Sequence, residues 1–554
     1  MSSLVLFAAL SAVLMWPLLV HPTTAMPGTA VDHDVVSFVW NLWWTKHALF
    51  ELHRFPLRCG YVLAPFGADL RLHTYSLLHG LVSLPLQPLL GVVGAFNAIT
   101  FATLVANGWS VSGLTLEWLE PRHRQASEAW KAEAALMAGA LALLAPAVVF
   151  HLRVGRPSFG SIWPIALALA ALLRLARTGR RSAGTALGAC LVAALLIDYQ
   201  TLLFAICSLL LLLGWLGLDR RRIHDRFAAG LALASILLMV PFLGVYYPAL
   251  ANAATQGYPV PSAADTLVYS HALGNFASVP FLRSTLGAVP LVLGTVALVR
   301  WRRSAASRCW IVLAACFVVL SLGVVLRPTS LPLPFALLRM LPGGEQFRTP
   351  YRFAVPASVA LAVAGGVASA AALASITAVR VRWLALAAMV AAAAVDVAST
   401  QPFRAQEYAE LDVYRRIADQ AGSETVLEVP FGVRSGTEQI GDHETLQYYQ
   451  MVHAKPGVNA MIARVPRRVF EAYAASPSLR LLADQPLAEP APAGLEAELD
   501  SRLAWLGVRW VVVHLDLLTR HREAILRLLD ANPTLSLVDE RQHVRLYERR
   551  PTGG

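Results

Sequence analysis

Two carboxylates flank a histidine in Val31-Asp32-His33-Asp34, shortly after an apolar stretch at residues 2–20. Carboxylates this close to a membrane boundary point to function: one can take a proton while the other positions or coordinates a partner. The competing reading is a solvated loop end, with Asp34 as the N-cap of a helix over 35–52. Trp40-Asn41-Leu42-Trp43-Trp44, Lys46 and His47 follow. They fit an interfacial aromatic belt, with the helix lying on the bilayer and holding the carboxylates above its outer leaflet. Farther on, Pro65-Phe66-Gly67 suggests a turn that would let Asp69 or His73 face a cavity.

More polar groups fall between later apolar runs: His151, Arg153 and Arg156; Asp198-Tyr199-Gln200; and Phe347-Arg348-Thr349-Pro350-Tyr351-Arg352-Phe353. Arginine there runs against the orientation bias described below. Anion binding is one reason for it, because the guanidinium fork matches phosphate geometry. Pairing with lipid headgroups or with Asp32, Asp34 and Asp198 is another. Near the C-terminus, Tyr448-Tyr449-Gln450-Met451-Val452-His453-Ala454-Lys455-Pro456 offers rings and hydrogen-bonding groups suited to a sugar, or an ordinary packed loop. No Gly-rich phosphate loop, metalloprotease motif or nucleophile elbow stands in a credible setting. Gly343-Gly344 lacks the flanking strand and helix that a nucleotide fold requires.

The elements that must position these groups follow from composition. Of 554 residues, 56% are hydrophobic and 15% charged, against about 25% charged in soluble domains. The pattern predicts a mainly α protein: a polytopic transmembrane bundle over 1–399, then a small soluble α/β domain over 400–554. Eleven spans are expected, at 2–20, 93–116, 132–150, 159–173, 183–197, 201–216, 227–246, 284–299, 310–325, 353–374 and 383–397. Arg122, Arg124 and Lys131, then Arg174 to Arg181, Arg220 to Arg226, Arg300 to Arg308, and Arg380 with Arg382 share one side. By the positive-inside rule that side is cytoplasmic. The long loops 21–92, 247–283 and 326–352 and the tail then lie outside, in a multi-pass protein of the cytoplasmic membrane with a cytoplasmic N-terminus. The proline-bearing stretches 77–91 and 331–341 are expected to lie in the outer interface. Residues 2–20 lack a basic n-region and read as a retained first helix.

The net charge of +11 does not indicate nucleic acid, since many of the arginines sit in short loops that orient helices. The five cysteines form no CxxC or Cys/His set, so neither a disulfide framework nor structural zinc is expected. In the tail, helices are expected at 411–420 and 521–529, strands at 425–429 and 509–514, and a hairpin of 535–538 with 544–548 turning at Glu540-Arg541-Gln542. Residues 485–494 read as a loop.

Taken in order, the acidic first loop, Trp40-Asn41-Leu42-Trp43-Trp44, Pro65-Phe66-Gly67-Ala68-Asp69-Leu70, His73, the Phe347–Phe353 run, Tyr449-Gln450, His453 and Lys455-Pro456 resemble the type C (GT-C) polytopic membrane glycosyltransferases. The likeness is to a bacterial branch with a C-terminal soluble domain, and it covers most of the chain. It implies a lipid-linked sugar donor, an aspartate of the first outer loop as catalytic base, and arginines that hold the donor phosphate. Asp34 matches the acidic position best by its distance from Trp40, with Asp32 second. Arg153, Arg156, Arg348 and Arg352 are the candidate phosphate ligands; where this branch often carries a second histidine, this chain has Arg156. His73, Asp69, Asp198, Tyr449, His453 and Lys455 are candidate acceptor or sugar contacts. The implied partners are the bilayer, a polyprenyl-linked donor, and a glycan, lipid or protein acceptor. The resemblance fixes no cofactor; a divalent metal, Mg or Mn, is used by some relatives, and Asp32, His33 and Asp34 could supply ligands. The alternatives are a flippase or transporter of lipid-linked glycans and a noncatalytic cell-envelope scaffold. Against the transporter stand the missing inverted repeat and the missing broken, acidic mid-membrane helices.

Overall fold

The computed structural model describes residues 3–120, 127–218, 223–277, 285–300, 305–341, 343–486 and 494–550. Arg122, Arg124, Arg220 to Arg222, Arg302 and Arg303 of the basic loops, and most of the loop expected at 485–494, lie outside them. The chain divides into two compact units: Met1–Asp32, Ser76–Pro248 and Pro261–Glu407 form one; His33–Tyr75, Ala249–Val260 and Tyr408–Gly554 form the other.

The first unit is a bundle of apolar helices. The apolar stretches read as spans are helical among the described residues, though 132–150 is divided between two helices. Among the described residues six helices are long and apolar enough to cross a membrane, and the pair Glu128–Leu143 and Pro146–Arg153, bent by 43°, is a further candidate; four others are shorter. The chain is a multi-pass membrane protein. The bend has a local cause. Pro146 opens the second helix of the pair, and Ala145 before it is extended (φ −66°, ψ 122°), as the residue preceding a proline prefers. The Ala- and Gly-rich helix Ala354–Leu373 lies at the centre, buried along its membrane-length window. Without a hydrophobic driving force in lipid, helices associate where small residues let backbones approach. A Cβ at Gly366 would overlap the Ala134 carbonyl of the neighbouring helix. The first helix, Ser3–Leu14, seats the fully buried Phe7 ring over Gly108 and Gly139. Residues 77–91 break into a 7-residue helix, Leu77–Ser83, and a Gly91 kink (φ 70°) in the next. Seven residues rise about 10 Å, short of a bilayer core of about 30 Å.

The second unit is α/β. Its four-stranded sheet has the order Leu535–Arg541, Val544–Arg549, Val508–His514, Thr425–Val429. The last two strands are parallel and the others antiparallel. Tyr414, Ile417, Val426, Val512 and Leu546 form a core against the helix Asp412–Ala418. The hairpin turns at Gln542-His543 rather than one residue earlier. Both have positive φ (50° and 59°), as a two-residue turn that follows strand twist requires.

The segment His33–Tyr75 is part of this second unit. Its helix runs Asp34–Lys46 and continues as a wide turn, His47–Glu51. The expected aromatic belt does not form at Trp40 and Trp44. Both are fully buried and their rings stack at 5.8 Å. Their indole N–H groups donate to Gln450 Oε1 (2.7 Å) and the Pro56 carbonyl (2.9 Å). These indoles have their partners inside the protein, so they are core residues.

Candidate functional site

In the first unit, the end of the bundle away from the basic loops gathers the candidate arginines. Arg153 closes the bent helix pair, and its Nε donates to Gln401 Oε1 at 2.7 Å. Arg352 opens the central helix; its Nη1 donates to Gln200 Oε1 at 2.6 Å, and its guanidinium lies 3.7 Å over the Phe159 ring. Gln200 in turn donates to Thr349 Oγ1 (2.9 Å). Asp198 caps the helix Tyr199–Gly217 by accepting from the Gln200 N–H (2.7 Å). Arg348 lies over Tyr269 (4.9 Å), whose carbonyl accepts from the Tyr351 N–H (3.0 Å). Arg156 donates its backbone N–H to the His151 carbonyl (2.8 Å), and the charges of both Arg156 and Arg352 reach the His151 ring. A cavity of about 190 Å³ opens among Phe150, His151, His271, Tyr351 and Gln401. Burial holds His271 down to about 4, so it faces the cavity as a neutral ring.

Asp32 belongs to the same unit. Its Oδ2 accepts from the Thr29 N–H and hydroxyl, both at 2.8 Å, and its charge reaches Arg153, as do those of Arg156 and Arg404. The strand Met26–Pro27 pairs with Ala405–Gln406, and Gly28 N–H donates to the Arg404 carbonyl (3.0 Å). The acidic loop is thereby pinned to the chain leaving the last helix.

Asp34 belongs to the second unit. It is the first helical residue and not the cap; His33 occupies the cap position, without a capping side-chain bond. His33 Nδ1 bonds the buried Glu444 carboxylate at 2.9 Å, which Arg434 also reaches at 3.1 Å. Glu444 raises the His33 pKa, and the charge of Asp34 adds to the rise. His73 is fully committed: Nδ1 accepts from the Ala463 N–H (2.9 Å) and Nε2 bonds Ser37 Oγ (3.1 Å). Burial holds it down to about 3.

The Tyr448–Pro456 stretch turns inward. Tyr449 stacks on Tyr414 at 4.2 Å. His453 Nδ1 accepts from the Lys455 N–H (3.0 Å), and burial holds that ring down to about 3. Lys455 Nζ donates to the carbonyls of Gln420 and Gly422, the latter at 2.7 Å. Asp69 accepts from the backbone and guanidinium of Arg71. Within the bundle, then, Arg153, Arg156, Arg348, Arg352, Asp198 and Asp32 share one end, while His73, Tyr449, His453 and Lys455 serve packing in the other unit. His271, Gln401 and Arg404 escape a reading by motif, because single polar residues in loops have no distinguishing spacing. Among the described residues no group of three His, Cys, Asp or Glu could hold a metal ion. Asp32 Oδ2 and His33 Nδ1 are engaged by Thr29 and Glu444.

No protein-family profile and no curated protein matches the chain by sequence. Solved structures do match its fold. Arabinofuranosyltransferase AftD from Mycobacteria superposes with a TM-score of 0.57 at 15% identity, over 98% of this chain and 41% of that one. ArnT from Cupriavidus metallidurans, bound to undecaprenyl phosphate, gives 0.51 at 14% identity, over 99% and 98%. Oligosaccharyltransferase AglB from Archaeoglobus fulgidus, in complex with an inhibitory peptide and a dolichol-phosphate, gives 0.50 at 13% identity, over 95% and 70%. The chain spans less than half of AftD. Its fold is GT-C-like.

Proposed function

We propose that this chain is a membrane glycosyltransferase that moves a sugar from a polyprenyl-phosphate-type lipid donor to an extracytoplasmic acceptor, with inversion. One observation carries the reading: the bundle end holds the Arg153 and Arg352 guanidiniums against neutral amides and rings, an arrangement suited to receiving an anion. ArnT and AglB, which share the fold, are solved with polyprenyl-type phosphates.

Asp34 takes the proton of an acceptor hydroxyl as its oxygen attacks the anomeric carbon. The bond from that carbon to the donor phosphate oxygen breaks, and the polyprenyl phosphate or diphosphate leaves with the electron pair. Arg153, Arg156, Arg348 and Arg352 stabilise its charge. Asp32, held by the Thr29 turn, suits a positioning role. Asp69 and Asp198 are candidates for contacts to acceptor hydroxyls. On this reading the protein sits in the cytoplasmic membrane, with its N-terminus inside and the domain from residue 400 outside. A lipid donor explains a site at the membrane surface.

The test is Asp34→Asn in a transfer assay with polyprenyl-linked sugars. The amide keeps the shape but accepts no proton, so turnover should fall by about 10²–10⁴-fold with folding and insertion intact; Asp32→Asn should cost less. Full activity in both single variants and the double variant would remove the enzyme reading, leaving a flippase or scaffold.

A further inference from the structure

The second unit carries a second cavity, of about 630 Å³. Four arginines line it: Arg54, Arg58 and Arg71 from the first loop, and Arg468 from the helix Arg467–Ala474. Among the described lining residues Asp69 is the one carboxylate, and it is paired with Arg71. The cavity is therefore strongly positive. Its walls also present aromatic surface. Phe66 is 38% exposed, with its ring braced edge-on by Tyr473 and Trp505. Tyr258, itself buried, lies within reach of the charges of Asp69, Arg71 and Arg468.

The frame is built in advance. Arg58–Cys59 pairs with Ala68–Asp69, placing Arg58 across from Asp69. The turn between them needs Gly67 (φ +71°), where a Cβ would come 2.7 Å from the Cys59 carbonyl. The segment Ala249–Val260, which supplies Tyr258, is tied down by the Arg467 N–H on the Gly257 carbonyl (2.9 Å). A preorganised site binds more tightly because less is ordered on binding.

We infer that this cavity binds an acidic oligosaccharide, its carboxylate or phosphate groups held by the arginines and a sugar ring face against Phe66. Guanidinium forks recognise such anions, and sugar C–H faces pack on aromatic rings. The volume exceeds what a single inorganic anion fills and lies in the range of small-ligand sites, about 300–1,000 Å³. This inference concerns binding and does not depend on catalysis.

The experiment titrates the full-length chain in nanodiscs with trigalacturonate, with neutral maltotriose and with inorganic phosphate, by calorimetry. Trigalacturonate should bind, maltotriose should not, and phosphate alone should compete weakly. R58Q/R468Q should weaken trigalacturonate binding by about tenfold or more, with the melting transition unchanged. The pair R415Q/R416Q, which removes the same charge elsewhere on this unit, should leave it intact. Four results would overturn the inference: no trigalacturonate binding, equal binding in R58Q/R468Q, equal loss in R415Q/R416Q, or phosphate binding as tightly as the saccharide.

Discussion

The two ends of the helical bundle treat arginine differently. At the basic-loop end four cations, Lys131, Arg174, Arg177 and Arg382, meet carboxylates. Glu117, buried, pairs with Arg174 at 2.9 Å and with Arg177. Glu133, also buried, pairs with Arg382 at 3.1 Å, and Lys131 pairs with Glu128 at 2.8 Å. At the other end Arg153 and Arg352 rest on Gln401 and Gln200 and on the faces of Phe150 and Phe159. The charge of Asp32 reaches Arg153, and that of Arg352 reaches Asp198. A carboxylate partner cancels the field of a cation, whereas an amide orients the guanidinium and leaves the charge uncompensated. The first arrangement anchors helices. The second is suited to receiving an anion.

Substitutions can break this contrast. The largest effect on stability is expected for Arg382→Gln, which strands the buried Glu133. Removing one partner of a buried pair costs about 3–5 kcal/mol, seen as a lower melting temperature with transfer per folded molecule unchanged. Arg352→Ala should do the reverse. It should lower kcat/KM for the lipid donor by about 10–100-fold, the equivalent of a charge-assisted hydrogen bond of about 1.5–3 kcal/mol, with less change in melting. Arg348→Ala should act in the same direction. If Arg382→Gln abolished transfer in folded protein while Arg352→Ala left donor use unchanged, the assignment of the two ends would be reversed.

A third test separates the units by pH. His73 and His453 are neutral in the folded protein, with pKa values of about 3, whereas an unfolded chain protonates histidine near 6.5. The unfolded state therefore binds more protons below that pH, and stability falls as pH drops from about 6.5 toward 3. Each contributes about 1.4 kcal/mol per pH unit. His33 works the other way: its raised pKa adds stability below 6.5 that is lost as pH rises through the folded value. The net expectation is acid destabilisation of the second unit between pH 6.5 and 5, which His453→Gln should reduce in slope. A flat melting profile over that range would show that these rings are not buried neutral.

The smallest effect is expected for Arg174→Gln. Arg177 remains on Glu117 and Arg174 is largely exposed, so about 0.5 kcal/mol of stability should be lost. A loss as large as that of Arg382→Gln would mean that Glu117 depends on both partners.

How much of this was legible in the sequence depends on what kind of information each feature carries. Bilayer thickness and the demand that every backbone group be bonded within the membrane make a run of about 20 apolar residues a helix wherever it packs. The positions of the apolar helices could therefore be read locally. The same holds for the strands Thr425–Val429 and Val508–His514, whose apolar runs are bounded by turn residues. The fates of polar residues could not be read in this way. Trp40 and Lys455 look like surface groups by type, yet Gln450 and the Gln420 and Gly422 carbonyls complete their hydrogen bonds inside the fold. Arg352 finds Gln200 across 152 positions, and Arg153 finds Gln401 across 248. A hydrogen bond is decided by two atoms about 3 Å apart, and only the packed helices decide which distant residues come that close. The sequence by itself determined the helical membrane unit, the α/β domain and the arginines to watch. The tertiary structure alone decided which of those charges meet a carboxylate and which rest on amides and rings.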